Sequence, residues 1–291
     1  MKVILAPIVT VVGHSTFVEH PQYLIPNDGS DACKIGSFAA KGCYDSYGEN
    51  GRGNQKNQES IIESKHGSIL EHSTVSLFIE GVTRALTLEM NRHRLLAISQ
   101  RSTRYTAEED GSIVLDPYYA ELFKKYDFRW EKNVQYAATG GLWMAGNQSV
   151  MEAILNRYTL ENQEAREFHL MSSFLMQAES DIATYKDQVE TLIKLNPMKL
   201  TGFDLRKWAR GKARNVLPHC LETRVTYTAN HRAWRWFVEA RSSIHAEAEI
   251  RRLAHHVLVE LRKIAPEYYD DFEQTQIYDG IPEWKPQYSK V

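Results

Sequence analysis

Alternating apolar positions predict three strands along the chain. The opening stretch MKVILAPIVTVVG is rich in apolar and β-branched residues and is predicted to form a buried first strand. In STVSLFIEG, apolar side chains occupy every second position at Val75, Leu77 and Ile79, and Gly81 is expected to end the strand. The same two-residue period in ETRVTYTAN predicts a third strand through Val225.

Segments rich in helix formers fill much of the remaining sequence. VTRALTLEMNRHR follows the second strand, contains neither glycine nor proline, and is predicted to be a helix. No proline occurs in residues 118–196, which predicts long helices that Pro197 brings to an end. Two further helices are predicted, one in TGFDLRKWARGKARNVLP and one over residues 230–264, with the serine pair at 242–243 as a candidate break.

Two regions are predicted to lack regular structure. Residues 27–58 are polar and glycine-rich and are interpreted as a surface loop. The tail, with Pro266, Pro282 and Pro286, is predicted to be irregular. Because no repeat and no convincing linker interrupts the mixture of helices and strands, the sequence predicts a single α+β domain over residues 1–291.

Composition and charge narrow the class of protein. The chain has 291 residues, 43% of them hydrophobic and 25% charged, as expected for a soluble globular protein. The formal net charge of -2 gives no overall attraction to nucleic acid, so an anion site needs a local cluster of positive charge. Three cysteines without a Cys-x-x-Cys pair favour a reducing, cytoplasmic location. No apolar run reaches the ~18 residues of a membrane-spanning helix, and no signal-peptide cleavage site follows the opening stretch.

The segment NRHRLLAISQRSTRY combines positive charge with hydroxyl groups. If Arg92, His93 and Arg94 lie on a helix, successive side chains turn by ~100°, so the two arginines point to nearly opposite sides and cannot share one ligand. The following Ser102-Thr103-Arg104 favours a turn with free backbone N–H groups, and arginines, hydroxyls and amides together suit a phosphate. The alternative is a solvated basic helix end.

Two more arginine-containing helices leave similar alternatives open. Arg206, Arg210 and Arg214 fall on one helix face, where they require either acidic partners or a phosphate ligand. In NHRAWRWFVEARSSIH, Arg241 and His245 face one site if one helix carries both. The aromatic residues of that segment form either a stacking surface for a ring system or a stripe facing the core.

Other sequence features argue against common catalytic devices. HGSILEH lacks the histidine spacing of a zinc helix and is interpreted as a polar cluster lining a pocket, so no metal is expected. No Gly-x-Ser-x-Gly motif is present, and no cysteine lies in a recognisable nucleophile motif. A site built mainly from arginines without a nucleophile indicates that a cofactor performs the difficult chemistry.

These segments resemble one known family. RHRLLAISQRS reads Arg-His-Arg, seven residues, then serine, and this resembles the signature of the flavin-dependent thymidylate synthases (ThyX). HGSILEH, EGVTRAL and STRY surround it in the family's order, and RNVLP, TYTANHRAWRWF and EARSSIHAEAEIRRLA are similar to the family's C-terminal half. Together these blocks cover about residues 66–106 and 203–264.

The resemblance implies both an activity and an architecture. Such enzymes methylate dUMP to dTMP, with methylenetetrahydrofolate as carbon donor and with electrons from NADPH passed through FAD. It also implies a homotetramer whose active sites are shared between subunits, and a central, mainly antiparallel sheet flanked by long helices. The stretch between Ser102 and Arg214 is longer than in compact members, so a helical insertion is expected at about residues 118–190.

The resemblance also implies roles for individual residues. Arg241 corresponds to the arginine that polarises the uracil, since a fixed cation stabilises the charge that develops on the ring, and Ser102 is assigned to substrate binding because no covalent enzyme nucleophile is needed. The residues implied to bind dUMP are Glu89, Arg92, Gln100, Arg101, Ser102, Thr103, Arg104, Arg214 and Arg241. The residues implied to contact FAD are Ser68, Arg92, His93, Arg94, Gln100, Asn230, His231, Arg232, Trp236 and His245. Trp236 stands where the family often has a polar residue, and Glu89 where glutamine is also found.

The sequence leaves two competing hypotheses open. The first is a related flavoenzyme that modifies another pyrimidine nucleotide, because the motifs report flavin and phosphate better than the transferred group. The second is a nucleic-acid-binding module that uses the arginine helices, which the balanced net charge argues against.

Overall fold

A computed structural model describes residues 1–108, 111–125 and 163–291 of the chain. Its α-helices in this part of the chain are α1 (Asp31–Gly42), α2 (Asn54–Glu63), α3 (Arg84–Met90), α4 (Pro117–Lys125), α5 (Gln163–Leu195), α6 (Gly202–Ala213), α7 (His231–Arg241) and α8 (Ala248–Ile264). The strands are β1 (Lys2–Ile4), β2 (Ile8–His14), β3 (Thr74–Thr83), β4 (Ala97–Gln100), β5 (Ser112–Val114), β6 (Glu222–Asn230), β7 (Phe272–Tyr278) and β8 (Ile281–Pro286). Single 3₁₀ turns lie at Gly67–Glu71, Arg214–Val216 and Pro266–Tyr268.

The largest sheet has four strands in the order β2-β3-β6-β4. The β2–β3 and β4–β6 pairs are antiparallel, so the predicted α+β class with a mainly antiparallel sheet is confirmed. Val75, Leu77 and Ile79 of β3 are fully buried, as the two-residue period predicts. β1 pairs in parallel with β5, and β7 forms an antiparallel hairpin with β8.

The described residues form two compact units. The sheet unit comprises residues 7–82, 86–100 and 224–291, and its core packs the inner face of the four-stranded sheet against α7 and α8 through residues such as Trp234 and Leu258. The helical unit comprises residues 1–6, 83–85 and 101–223. One domain over residues 1–291 therefore stays a prediction.

Packing within the helical unit follows the long helix α5. Met171 and Leu175 of α5 pack with Leu122 of α4, and Tyr185 packs against Ala209 of α6. Of the expected insertion at about 118–190, residues 126–162 lie outside the described residues, so the insertion stays a prediction. Among the described residues, none of the helices combines the length and apolar character needed to cross a membrane.

Several predicted elements differ from the structure. Pro7 divides the predicted first strand into β1 and β2, and Ile8 and Val12 on β2 are exposed rather than buried. Gly81 has a positive φ of 68° but does not end β3, which continues to Thr83. The predicted surface loop over residues 27–58 contains α1 and the first half of α2.

The tail is also more regular than predicted. Pro282 and Pro286 are compatible with the two-stranded hairpin because they lie in β8, which among the described strands pairs with β7 alone. Asp279 and Gly280 connect the strands with φ of 52° and 70°, the conformation that an Asp-Gly hairpin turn requires.

Candidate active site

An arginine, a histidine and a glutamate meet in the sheet unit. Arg241 is the last residue of α7, and its Nε donates a hydrogen bond to Nε2 of His93 at 2.9 Å. Its guanidinium also pairs with Glu89 of α3, with a distance of 3.3 Å from NH1 to Oε2. Because a guanidinium N–H can only donate, Nε2 of His93 must accept, and the imidazole is neutral with its proton on Nδ1.

The surroundings of His93 favour this neutral form. Burial and the adjacent Arg241 lower the pKa of His93 from 6.5 to about 4. The ring of Phe237, which is fully buried, meets the imidazole edge to face with centroids 5.3 Å apart. At neutral pH the charge of Arg241 is therefore held between one neutral and one anionic partner, while 24% of the side chain remains exposed to a ligand.

The arginines on either side of His93 are exposed. Helix α3 ends at Met90, and the following residues form turns, so the prediction that Arg92 and Arg94 lie on a continuing helix is wrong. The segment then enters β4 at Ala97. Within the part of the chain that the structure describes, neither guanidinium has a hydrogen-bond partner, so both are available to an anion.

Gln100, the last residue of β4, also belongs to this group. Its Nε2 donates to Oγ1 of Thr87 at 3.0 Å, which ties the strand to α3. The side chains at Glu89, His93, Gln100 and Arg241 thus come from α3, the turn after it, β4 and α7, all within the sheet unit.

The predicted turn around Ser102 is present in the helical unit. The carbonyl of Ser102 accepts hydrogen bonds from the backbone N–H groups of Tyr105 and Thr106, at 3.2 and 3.1 Å. Its hydroxyl oxygen accepts from the N–H of Arg104 at 3.3 Å, and Thr103 is buried. No base among the described residues is bonded to the Ser102 hydroxyl, and its substrate-binding role stays a prediction.

Arg101 is anchored by two buried carboxylates. Its guanidinium lies 3.0 Å from Glu108 and 3.5 Å from Glu222, whose side chains are 2% and 5% exposed. The backbone carbonyl of Arg101 also accepts from Arg84, whose pKa is lowered by burial and by the charges of Arg214 and Arg101, against the opposing effect of Glu108. Arg84 was absent from the predicted set, although it stands in the family-like EGVTRAL segment.

The arginine stripe on α6 has a mixed environment. NH1 of Arg210 donates to the carbonyl of Tyr105 at 3.0 Å, so its partner is backbone rather than the acidic residue or phosphate considered from sequence. Arg206 and Arg214 are exposed, and Arg214 is the C-cap of α6. Arg210 therefore links α6 to the turn that begins at Ser102.

Two residues implied to contact flavin have their side chains engaged in the fold. Oδ1 of Asn230 accepts from the N–H of Ala233 at 2.8 Å and caps α7. His231 is 1% exposed, its Nδ1 is hydrogen bonded to the Tyr269 hydroxyl at 2.9 Å, and burial lowers its pKa to about 3. The imidazole of His231 thus packs in the core, and its flavin contact stays a prediction.

Four other residues implied to contact flavin are exposed. Ser68 lies in the 3₁₀ turn Gly67–Glu71, and Arg232 pairs with Glu71 at 2.5 Å. Trp236 is 52% exposed, whereas Trp234 and Phe237 are fully buried, so the core interpretation holds for those two aromatic residues only. His245 is exposed in the loop that follows α7.

A glycine explains how closely this region packs. A Cβ atom on Gly67 would lie 2.4 Å from the backbone carbonyl carbon of Val291 and 2.8 Å from Nε of Arg232, which leaves no room for a side chain. The HGSILEH segment is thus a polar turn held to α7 by Glu71 and Arg232. No group of His, Cys, Asp and Glu in the described ranges could hold a metal ion.

Comparison with known proteins places these features in context. A family model described as thymidylate synthase complementing protein matches residues 24–267. The flavin-dependent thymidylate synthase of Mycobacterium tuberculosis is 31% identical over 275 residues, which cover 94% of this chain and 92% of that protein. The protein of the same name from Mycobacterium leprae is 31% identical over 288 residues, covering 95% and 94%.

Proposed function

The chain belongs to the flavin-dependent thymidylate synthase family, and from this premise we propose that it converts dUMP to dTMP by reductive methylation. The carbon donor is methylenetetrahydrofolate, and the electrons come from NADPH through FAD. The reaction needs a reductant because the transferred methylene must gain two electrons and a proton to become a methyl group. We also propose that the protein is a homotetramer whose active sites are shared between subunits, and that it is located in the cytoplasm.

The arrangement of Arg241 carries the proposal. Carbon 5 of uracil becomes nucleophilic when negative charge develops on the ring, and a fixed cation beside N3 and its neighbouring oxygen stabilises that charge. The hydrogen bonds that Arg241 donates to His93 and Glu89 fix this guanidinium before the substrate binds, so no reorganisation is needed during the reaction. Because His93 is neutral, it orients Arg241 without adding a second charge that would repel it.

The exposed residues of the sheet unit fit FAD by their chemistry. The cofactor carries two phosphates and flat ring systems, which need positive charges, hydrogen-bond donors and an aromatic surface. Exposed side chains supply these at Ser68, Arg92, Arg94, Arg232, Trp236 and His245. FAD bound there would supply the redox chemistry that carries electrons from NADPH to the transferred carbon. The residues of this chain bind and orient it.

The helical unit supplies groups suited to the phosphate of dUMP. The turn from Ser102 to Arg104 presents the Ser102 hydroxyl, and Arg104, Arg214 and Arg101 add positive charge. Glu89, Arg92, Gln100 and Thr103 complete the proposed substrate contacts. Arginine is well suited to phosphate because its planar fork donates two parallel hydrogen bonds.

A flavin spectrum and a product assay test this function. Protein purified with FAD should absorb in the flavin bands and bleach on addition of NADPH. Mass spectrometry should detect dTMP from dUMP and no product from dCMP. A modified dCMP would instead favour the alternative of a related flavoenzyme acting on another pyrimidine nucleotide.

Arg241→Ala separates catalysis from cofactor binding. We expect it to abolish detectable dTMP formation while the protein still holds flavin, because Arg241 is assigned to the uracil. The matched control is Arg52→Ala, which removes an exposed arginine that is bonded to Ser60 and is not among the assigned residues. Survival of turnover in Arg241→Ala at the control's level would show that another group activates the ring.

A further inference from the structure

The β7–β8 hairpin contains an irregularity opposite a buried carboxylate. The register shifts between Gln274 and Gln276, which leaves Thr275 as a bulge facing Glu283 on β8. Glu283 is 2% exposed. Its Oε2 accepts from the Thr275 hydroxyl at 2.7 Å and from Nε2 of Gln276 at 2.9 Å, and it lies 3.3 Å from Nζ of Lys285.

The other oxygen of this carboxylate faces the loop after α7. Oε1 of Glu283 accepts from the backbone N–H of Ile244 at 3.3 Å. Next to it, the hydroxyl of Ser242, which is fully buried, donates to the carbonyl of Trp284 at 2.7 Å. Two consecutive residues of β8 therefore hold the loop that begins directly after Arg241 and includes His245.

The charge state of Glu283 strengthens this connection. Burial alone would raise its pKa, but the hydrogen bonds from Gln276, Thr275, Ile244 and Lys285 lower it to about 2. The carboxylate is therefore ionised at every pH at which the enzyme would work, and hydrogen bonds to an ionised acceptor are about twice as strong as neutral ones.

We propose that Glu283 is a positioning residue that fixes the segment from Arg241 to His245. Arg241 is thereby placed to contact the uracil, and His245 to contact the flavin. This inference rests on the proposed function for its catalytic consequence. Glu283 acts through the loop and touches neither ligand. Misplacement of catalytic groups by about 1 Å costs on the order of 100-fold in rate, so a remote carboxylate that controls this loop is expected to control turnover.

Four variants separate positioning from stabilisation of the hairpin. Glu283→Ala removes every bond of the carboxylate, whereas Glu283→Gln keeps an oxygen that can accept from Ile244. Thr275→Val removes a donor to the same carboxylate without a contact to the loop. Glu273→Gln neutralises an exposed carboxylate on the same hairpin and serves as the general control.

Turnover is measured per bound flavin, so that loss of folded protein does not count as loss of activity. Glu283→Ala should lower it about 10- to 100-fold. Glu283→Gln should recover most of the loss, and Thr275→Val and Glu273→Gln should stay near wild type. Wild-type turnover in Glu283→Ala, or an equal loss in Thr275→Val, would overturn the proposal. If Glu283→Ala does not fold, Ser242→Ala takes its place, because it removes only the hydrogen bond from the loop to Trp284. Wild-type turnover in Ser242→Ala would then overturn the proposal.

A second readout does not depend on flavin or activity. Nuclear magnetic resonance of ¹³C-labelled histidine in the flavin-free protein reports the pKa of His93, which Arg241 lowers. If Glu283 positions Arg241, Glu283→Ala should raise that pKa, and an unchanged value would count against positioning. If the wild type neither binds flavin nor forms dTMP, the proposed function fails while this measurement still decides the structural claim.

Discussion

Replacing Arg241 with methionine should raise the pKa of His93, since the positive charge 2.9 Å from its Nε2 is removed. The drop from 6.5 to about 4 corresponds to about 3 kcal/mol, at about 1.4 kcal/mol for each factor of ten. Burial is the larger cause and Arg241 the second, so the arginine accounts for the smaller part of this free energy. The pKa in Arg241→Met is therefore expected to rise but to stay below 6.5.

The size of this share agrees with the geometry. Two unit charges at 4 Å and an effective dielectric constant of about 20 interact by about 4 kcal/mol. Here the guanidinium is 24% exposed and is paired with Glu89, which offsets part of its effect on the imidazole. The contribution of Arg241 to the pKa shift of His93 is therefore expected to be well below about 4 kcal/mol.

The same shift makes stability depend on pH in a defined direction. Because His93 binds a proton less readily in the folded state, the stabilisation is complete above pH 6.5 and is lost as the pH falls from 6.5 towards 4. Wild type should lose up to about 3 kcal/mol over this range, and Arg241→Met should lose less.

Histidine resonances followed during a pH titration measure both effects, with urea denaturation at the two ends of the range. His231 provides an internal control, because it is bonded to Tyr269 and its pKa of about 3 should stay low in both proteins. The reasoning is refuted if His93 titrates near 6.5 in the wild type, or if Arg241→Met leaves its pKa at about 4.

Two further substitutions test ion pairs of contrasting roles. Asp271→Asn should lower the free energy of unfolding by about 3–5 kcal/mol, because the buried Arg235 guanidinium loses its bidentate partner at 2.6 and 2.8 Å. Urea denaturation measures this loss, with Asp270→Asn at the neighbouring exposed position as the control. Glu108→Gln should raise the KM for dUMP about tenfold with flavin content unchanged, because the Arg101 guanidinium loses its carboxylate partner at 3.0 Å. A KM equal to that of the wild type would show that Arg101 does not bind the substrate.

The elements that the sequence predicted best bury an apolar face at a regular period. β3 and β6 alternate clearly, and the break between α7 and α8 falls at Ser242, as the serine pair predicts. Helix α1 was missed because its buried face consists of residues such as Gly36, Ser37 and Lys41, which give no hydrophobic periodicity. For the β7–β8 hairpin, the Asp-Gly turn was a usable signal, but the neighbouring prolines outweighed it.

The sequence indicated which residue types the candidate site would contain, but not which side chains would contact each other. The bond between Arg241 and His93 joins residues 148 positions apart, and only the sheet that places the ends of α3 and α7 together creates it. The sequence around His231 is polar and charged, yet the helix orientation turns this imidazole into the core beside Tyr269. The turn from Ser102 to Arg104 was predictable because local Ser/Thr chemistry dictates it.

The order of strands in the four-stranded sheet also has a consequence during synthesis. β3 lies between β2 and β6, but residues 84–221 separate β3 from β6 in the chain. At the usual rate of translation, on the order of ten seconds pass before β6 leaves the ribosome. Until then the nascent chain exposes one unpaired edge of β3 and the apolar face of Leu77 and Ile79, which α7 and α8 have yet to cover. Newly made chains are therefore most prone to aggregation in this interval, when a ribosome-associated chaperone would protect them most.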